Sequence, residues 1–123
     1  MPQPTILVVD DDADILETTM YAMRKRGFDV YGASSGPAAV ELCHQHQGEI
    51  GAVVADLSLP GESTRFTQTI AGSFPDVKFV YATGIPRHIA LSTGLVPPDA
   101  PYLQKPVDAD LLASVLRGQL ASA

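Results

Sequence analysis

Residues 52–61 read Ala52-Val53-Val54-Ala55-Asp56-Leu57-Ser58-Leu59-Pro60-Gly61. Four small or branched apolar residues run straight into a carboxylate, and Pro60-Gly61 then punctuates a turn. An apolar run without alternation suits a strand in the middle of a sheet covered on both faces. Asp56 alone is ambiguous, because aspartate opens turns well. It gains meaning if the strand belongs to an open α/β sheet, where ligands bind outside the carboxyl ends of the strands.

Outward from that stretch the same pattern repeats. Upstream, Thr5-Ile6-Leu7-Val8-Val9 is a β-branched and aliphatic run that ends at Asp10-Asp11-Asp12. Asp12 is placed to cap a helix reaching about residue 26, with Asp14 in its first turn. Ile15, Leu16, Thr19 and Met23 predict its inner face, and Arg24-Lys25-Arg26 with Gly27 its end. Residues 28–33 read as a weaker strand. Ser34 or Ser35 caps the next helix, with Pro37 in its first turn and Ala39, Val40 and Cys43 as its inner stripe; Gly48 ends it.

Downstream, Phe66, Ile70 and Phe74 lie four apart and predict the apolar edge of a helix from about residue 63, stopped by Pro75. Residues 77–83 read as a strand that closes on Thr83-Gly84, and residues 87–95 as a short helix. Pro97, Pro98 and Pro101 make the next connection irregular. Tyr102-Leu103-Gln104 is the last strand, ending at Lys105-Pro106. Asp108 caps a final helix whose expected inner face is Leu111, Leu112, Val115 and Leu116.

Strand and helix thus alternate five times. That order calls for an α/β fold: a doubly wound, five-stranded parallel sheet with right-handed crossovers and helices on both faces. Its length of 123 residues suits a single domain over 1–123. All five strands deliver their carboxyl ends to one edge, which collects Asp10, Asp11, Asp56, Thr83 and Lys105. Three carboxylates in one place require a cation to stay ionised. Oxygen-only ligands with room for water suit Mg²⁺ (or Mn²⁺) better than Ca²⁺. A lysine and a hydroxyl beside the metal would face an anion. Phosphoryl is the natural candidate, since its transfer needs little beyond an in-line nucleophile and charge neutralisation. A carboxylate can be that nucleophile and form an aspartyl phosphate.

Bulk properties narrow the remaining classes. A net charge of −6 argues against a nucleic-acid-binding face. Cys43 is the single cysteine, which precludes an internal disulfide and favours a cytoplasmic setting. Residues 1–4 lack the basic and apolar parts of a leader, and no apolar run approaches the roughly 18 residues of a membrane span, so no membrane role is expected. His44 and His46 sit two apart on a helix and are poor joint metal ligands; His88 reads as solvated. No Gly-x-x-x-x-Gly-Lys phosphate loop occurs.

The chain resembles the receiver domains of two-component response regulators over essentially its whole length. The resemblance rests on Ile6-Leu7-Val8-Val9-Asp10-Asp11, on Asp56 with Pro60, on Thr83 and on Tyr102-Leu103-Gln104-Lys105-Pro106. It implies a flavodoxin-like strand order of 2-1-3-4-5 and phosphorelay signal transduction. Asp56 would accept phosphoryl from a histidine kinase or phosphotransfer protein. Asp10, Asp11 and Asp56 would hold the metal together with the Ser58 backbone carbonyl, while Thr83 and Lys105 would grip the phosphoryl oxygens. Tyr102 matches the switch aromatic that turns inward when the threonine moves, and the output would be contact with a downstream protein target or output domain. Two features depart from the family pattern. Glu62-Ser63-Thr64 stands where Met-Asp-Gly is common, and residues 85–101 lack a long amphipathic stripe. An enzyme alternative is a haloacid-dehalogenase-like phosphatase with Asp10 as nucleophile. That family needs a further acidic pair after a later strand, and it leaves Asp56 unexplained. A third reading is a receiver-like interaction module that is never phosphorylated.

Overall fold

The computed structural model of the chain describes residues 4–56, 65–94 and 100–121. Five strands and five helices alternate: β1 (Thr5–Val9), α1 (Ala13–Lys25), β2 (Asp29–Ala33), α2 (Gly36–Gln45), β3 (Ile50–Ala55), α3 (Arg65–Ser73), β4 (Lys78–Thr83), α4 (Arg87–Ser92), β5 (Tyr102–Gln104) and α5 (Ala109–Ala121). The strands form one parallel sheet in the order β2-β1-β3-β4-β5. The expected doubly wound fold is therefore the observed one. β3 lies at its centre, and its burial on both faces explains why residues 52–55 carry no polar alternation.

Local chemistry sets most helix ends. The Asp12 side chain caps α1 by accepting hydrogen bonds from the Asp14 and Ile15 backbone N–H groups. α1 stops where Gly27 takes φ = +92°, a left-handed conformation that costs glycine little. There the Gly27 and Phe28 N–H groups donate to the Arg24 and Met23 carbonyls. Of the two candidate caps for α2, Ser35 is the one used, and it accepts from the Ala38 N–H.

Two apolar layers flank the sheet. One joins Leu7, Val9, Val53 and Ala55 to α2 and α3 through Ala39, Cys43, Phe66 and Ile70. The other joins Ile6, Val8, Val54 and Val80 to α1 and α5 through Met23, Leu112 and Leu116. Two expected inner residues lie outside these layers. Ile15 is 39% exposed and Leu111 50% exposed. One residue turns a helix by about 100°, so the α1 ridge that meets the sheet runs through Leu16, Met20 and Met23 instead. On α5 the buried ridge is Leu112, Ala113 and Leu116. A Cβ at Gly32 would meet the sulfur and terminal methyl of Met20, the movable end of a flexible side chain.

α4 spans only six residues, shorter than the helix expected over 87–95. Ala90 is its one buried residue among those described, and a helix this short, with little apolar surface to bury, ends early. No helix among the described residues is long and apolar enough to cross a membrane.

Candidate functional site

Backbone bonds that continue one residue past the strands tie the end of β1 to β2 and the end of β3 to β1. The Asp10 N–H donates to the Ala33 carbonyl and the Asp56 N–H to the Val9 carbonyl, each at 3.1 Å. These bonds aim both carboxylates out of the same edge. Asp10 Oδ1 also accepts from the Asp12 N–H at 2.9 Å, which folds the turn into α1 and leaves Asp11 outermost. Asp10 and Asp56 are 4% and 2% exposed, whereas Asp11 faces solvent. One oxygen from each of the three carboxylates lies within 4.8 Å of the others.

Lys105 arrives from the end of β5, where its peptide bond to Pro106 is cis. Its Nζ donates to Asp10 Oδ2 at 2.6 Å and to Asp56 Oδ2 at 3.2 Å. The base thus bridges two acids separated from it by 95 and 49 residues of chain. A cleft of about 550 Å³ opens beside the three groups, walled by Asp14, Ile15 and Thr18 of α1 and by Val107. A wider cleft of about 920 Å³ lies at the amino ends of the strands, near Thr5, Asp29 and Gly51. Its Arg24 is committed to the Val30 carbonyl, and it receives no strand carboxyl end. Chemistry therefore favours the smaller cleft.

Charge is unbalanced at the edge, with three acids to one base. Burial raises the Asp10 pKa above the usual carboxylate value. The hydrogen bonds from Lys105 and the Asp12 N–H oppose that rise, while the Asp56 charge adds to it. Burial alone would lower the Lys105 pKa, but the hydrogen bond to Asp10 and the charges of Asp56 and Asp10 outweigh it and raise it. Both shifts run toward the protonated form, as expected where positive charge is short. The donor set fits a hard divalent cation: it is all carboxylate oxygen, closely spaced, and open to solvent on the Asp11 side.

Four of the residues singled out in the sequence thus come together: Asp10, Asp11, Asp56 and Lys105. Thr83 ends β4 at the same edge, and its side chain lies outside the described residues, as does Ser58. Tyr102 begins β5, half-buried, with its phenol oxygen screened from solvent. Cys43 is buried and its thiol pKa is raised by that burial. His44 meets the Phe74 ring edge-on, while His46 stacks on Tyr31, so the two histidines point to different neighbours. One buried polar pair was not read from the sequence. Tyr81 on β4 and Thr67 on α3 are both buried, and burial raises the Tyr81 phenol pKa while the Thr67 side chain opposes that rise. The available signal was a hydroxyl at each of two positions that the fold buries.

A protein-family model described as the response regulator receiver domain matches residues 6–117. The sensor kinase CckA of Brucella abortus (strain 2308) is 29% identical over 119 residues. The match covers 94% of this chain and 12% of the kinase, so the chain spans about an eighth of that relative's length. A sensor protein from Polaromonas sp. JS666 superposes with a TM-score of 0.84 at 25% identity, covering 98% of each chain. A response regulator receiver protein from Sinorhizobium medicae WSM419 gives a TM-score of 0.83 at 27% identity, covering 98% of this chain and 96% of that one.

Proposed function

Because the chain belongs to the family of response regulator receiver domains, which are phosphoacceptor signalling modules rather than catalytic enzymes, we propose that Asp56 is its phosphoacceptor and that Asp10, Asp11 and Asp56 hold Mg²⁺. The observation that carries this reading is the Lys105 bridge between two buried carboxylates at the outlet of the central strand. Asp56 is the acceptor because it ends the middle strand, with the Asp10–Asp11 pair on one side and Lys105 on the other. An incoming phosphoryl group brings negative charge to an edge already rich in it, so neutralisation decides whether donor and acceptor oxygens can approach. Lys105 supplies one positive charge from a fixed position. Mg²⁺ or Mn²⁺, when bound, supplies the rest and draws charge from the phosphoryl oxygens. The Ser58 carbonyl would complete the metal's protein ligands, and the Thr83 hydroxyl would face the phosphoryl group from β4.

A receiver domain works with a histidine kinase, and the donor is such a kinase or a phosphotransfer protein. Residues 1–123 act as one receiver module, whose output is contact with a downstream protein or an attached output domain. A shift between two arrangements of Thr83 and Tyr102 would carry the state of Asp56 to that contact.

Acetyl phosphate with Mg²⁺ tests the assignment. Intact-mass measurement should find one added phosphoryl group in the wild type, less in Asp11→Asn and none in Asp56→Asn. The phosphatase alternative forms its adduct on Asp10. A phosphoryl adduct that persists in Asp56→Asn and disappears in Asp10→Asn would replace the receiver reading with that one.

A further inference from the structure

Lys105 holds its two partners unequally. Its Nζ lies 2.6 Å from Asp10 Oδ2 and 3.2 Å from Asp56 Oδ2, so the ammonium sits nearer the neighbouring acid than the acceptor. Both oxygens of Asp10 are engaged, because Oδ1 accepts from the Asp12 N–H at 2.9 Å while Oδ2 takes the lysine. Asp10 is 4% exposed, so solvent reaches little of it. It is also one of the three acids whose oxygens cluster within 4.8 Å. A lysine and a divalent cation thus draw on the same carboxylate.

We propose that Lys105 is a built-in rival of the divalent cation for Asp10, and that it yields this carboxylate, while keeping Asp56, when the cation binds. The inference rests on the reading of Asp10, Asp11 and Asp56 as the metal site and of Asp56 as the phosphoacceptor. Charge allows both cations at the edge. Three acids face one base, so a divalent ion can enter beside the ammonium without expelling it. Demand for one oxygen is what sets the two against each other. A hard metal binds carboxylate oxygen directly, and the ammonium at 2.6 Å holds Oδ2 in a short, charge-assisted bond. The backbone narrows the choice further. The Asp12 N–H fixes Oδ1 within the turn into α1, where Asp12 is itself the N-cap. Oδ2 is then the oxygen whose partner can move, since Lys105 brings a long flexible side chain that is 21% exposed. An ammonium shared with Asp10 offers an incoming phosphoryl group only part of its charge. Once Asp10 is given up, the full charge faces the acceptor. The plain alternative is a permanent pin: Lys105 ties the end of β5 to the ends of β1 and β3, and metal binds from the Asp11 side without disturbing it.

Mg²⁺ alone, without phosphodonor, is the probe. By titration calorimetry Lys105→Met should bind Mg²⁺ about tenfold or more tightly than the wild type, because a competing charge has left its ligand. Lys25→Met removes an exposed charge at the far end of α1 and should bind as the wild type does. In the unaltered protein, heteronuclear NMR should show the Lys105 methylene beside Nζ shifting in step with Mg²⁺, while that of Lys25 stays in place. This second measurement stands even if Lys105→Met fails to fold. A Lys105 signal that is unmoved when the site is saturated would overturn the inference in favour of the pin, as would an unchanged affinity in Lys105→Met. In either case Mg²⁺ still binds the wild type and the metal reading survives. If neither the wild type nor Lys105→Met binds Mg²⁺, the metal reading fails and the inference with it.

Discussion

Replacing Asp56 by asparagine should stabilise the metal-free protein, although the variant loses a hydrogen-bonded ion pair. The Lys105–Asp56 contact at 3.2 Å is worth roughly 5 kcal/mol of attraction at an effective dielectric constant near 20. Against it stand two repulsions. A carboxylate of Asp10 within 4.8 Å opposes Asp56 by about 3.5 kcal/mol or more on the same scale. Exposed Asp11 adds about half as much, because solvent screens it. Attraction and repulsion thus nearly cancel, and desolvation decides the sign. An ionised carboxylate that is 2% exposed carries an effective penalty of several kcal/mol. The neutral amide pays about 1–3 kcal/mol. Lys105 meanwhile keeps its 2.6 Å bond to Asp10. The net expectation is a gain of about 2 kcal/mol, which moves a urea midpoint upward by about 1 M for a domain of this size. Urea titrations with and without Mg²⁺ measure it. Added Mg²⁺ should raise the wild type, by about 1.4 kcal/mol at ten times its dissociation constant, and raise Asp56→Asn less. An Asp56→Asn protein that is less stable than the wild type without metal would refute the charge-imbalance argument. So would an undiminished Mg²⁺ effect in the variant.

Other perturbations test other links. Lys105→Met should cost about 2 kcal/mol by urea titration, below the 3–5 of a fully buried pair because the lysine side chain remains 21% exposed. Ile70→Ala should cost about 3 kcal/mol, since the side chain is fully buried against the sheet, and a loss under about 1 would mean that α3 is loosely seated. Ser35→Ala should cost about 1 kcal/mol through the lost cap on the Ala38 N–H. Burial raises the Cys43 thiol pKa and so withholds the reactive thiolate. Iodoacetamide should therefore label native protein at least tenfold more slowly than urea-unfolded protein at pH 8; equal rates would contradict the burial.

The sequence by itself determined the architecture. Apolar runs that each stop at a chemically distinct residue, alternating with capped amphipathic stretches, leave one economical arrangement. In a parallel α/β sheet that arrangement delivers Asp10, Asp11, Asp56, Thr83 and Lys105 to one edge whatever the details of packing. Asp12 as the α1 cap was legible for the same reason, since a cap depends on neighbours within three residues. Helix phase was less legible. Ile15 and Leu111 fit an apolar stripe as well as Leu16 and Leu112 do, and only the position of the sheet decides which ridge is covered. Tertiary structure alone decided the charge geometry. Nothing local to Lys105 says that its ammonium bridges Asp10 and Asp56, because both partners are distant in sequence. The pairing of buried Tyr81 with buried Thr67 belongs to the same class. Periodicity reports which face of an element is buried, but the partner of a buried polar atom is set by register and by how neighbouring elements pack. Those are properties of the assembled chain.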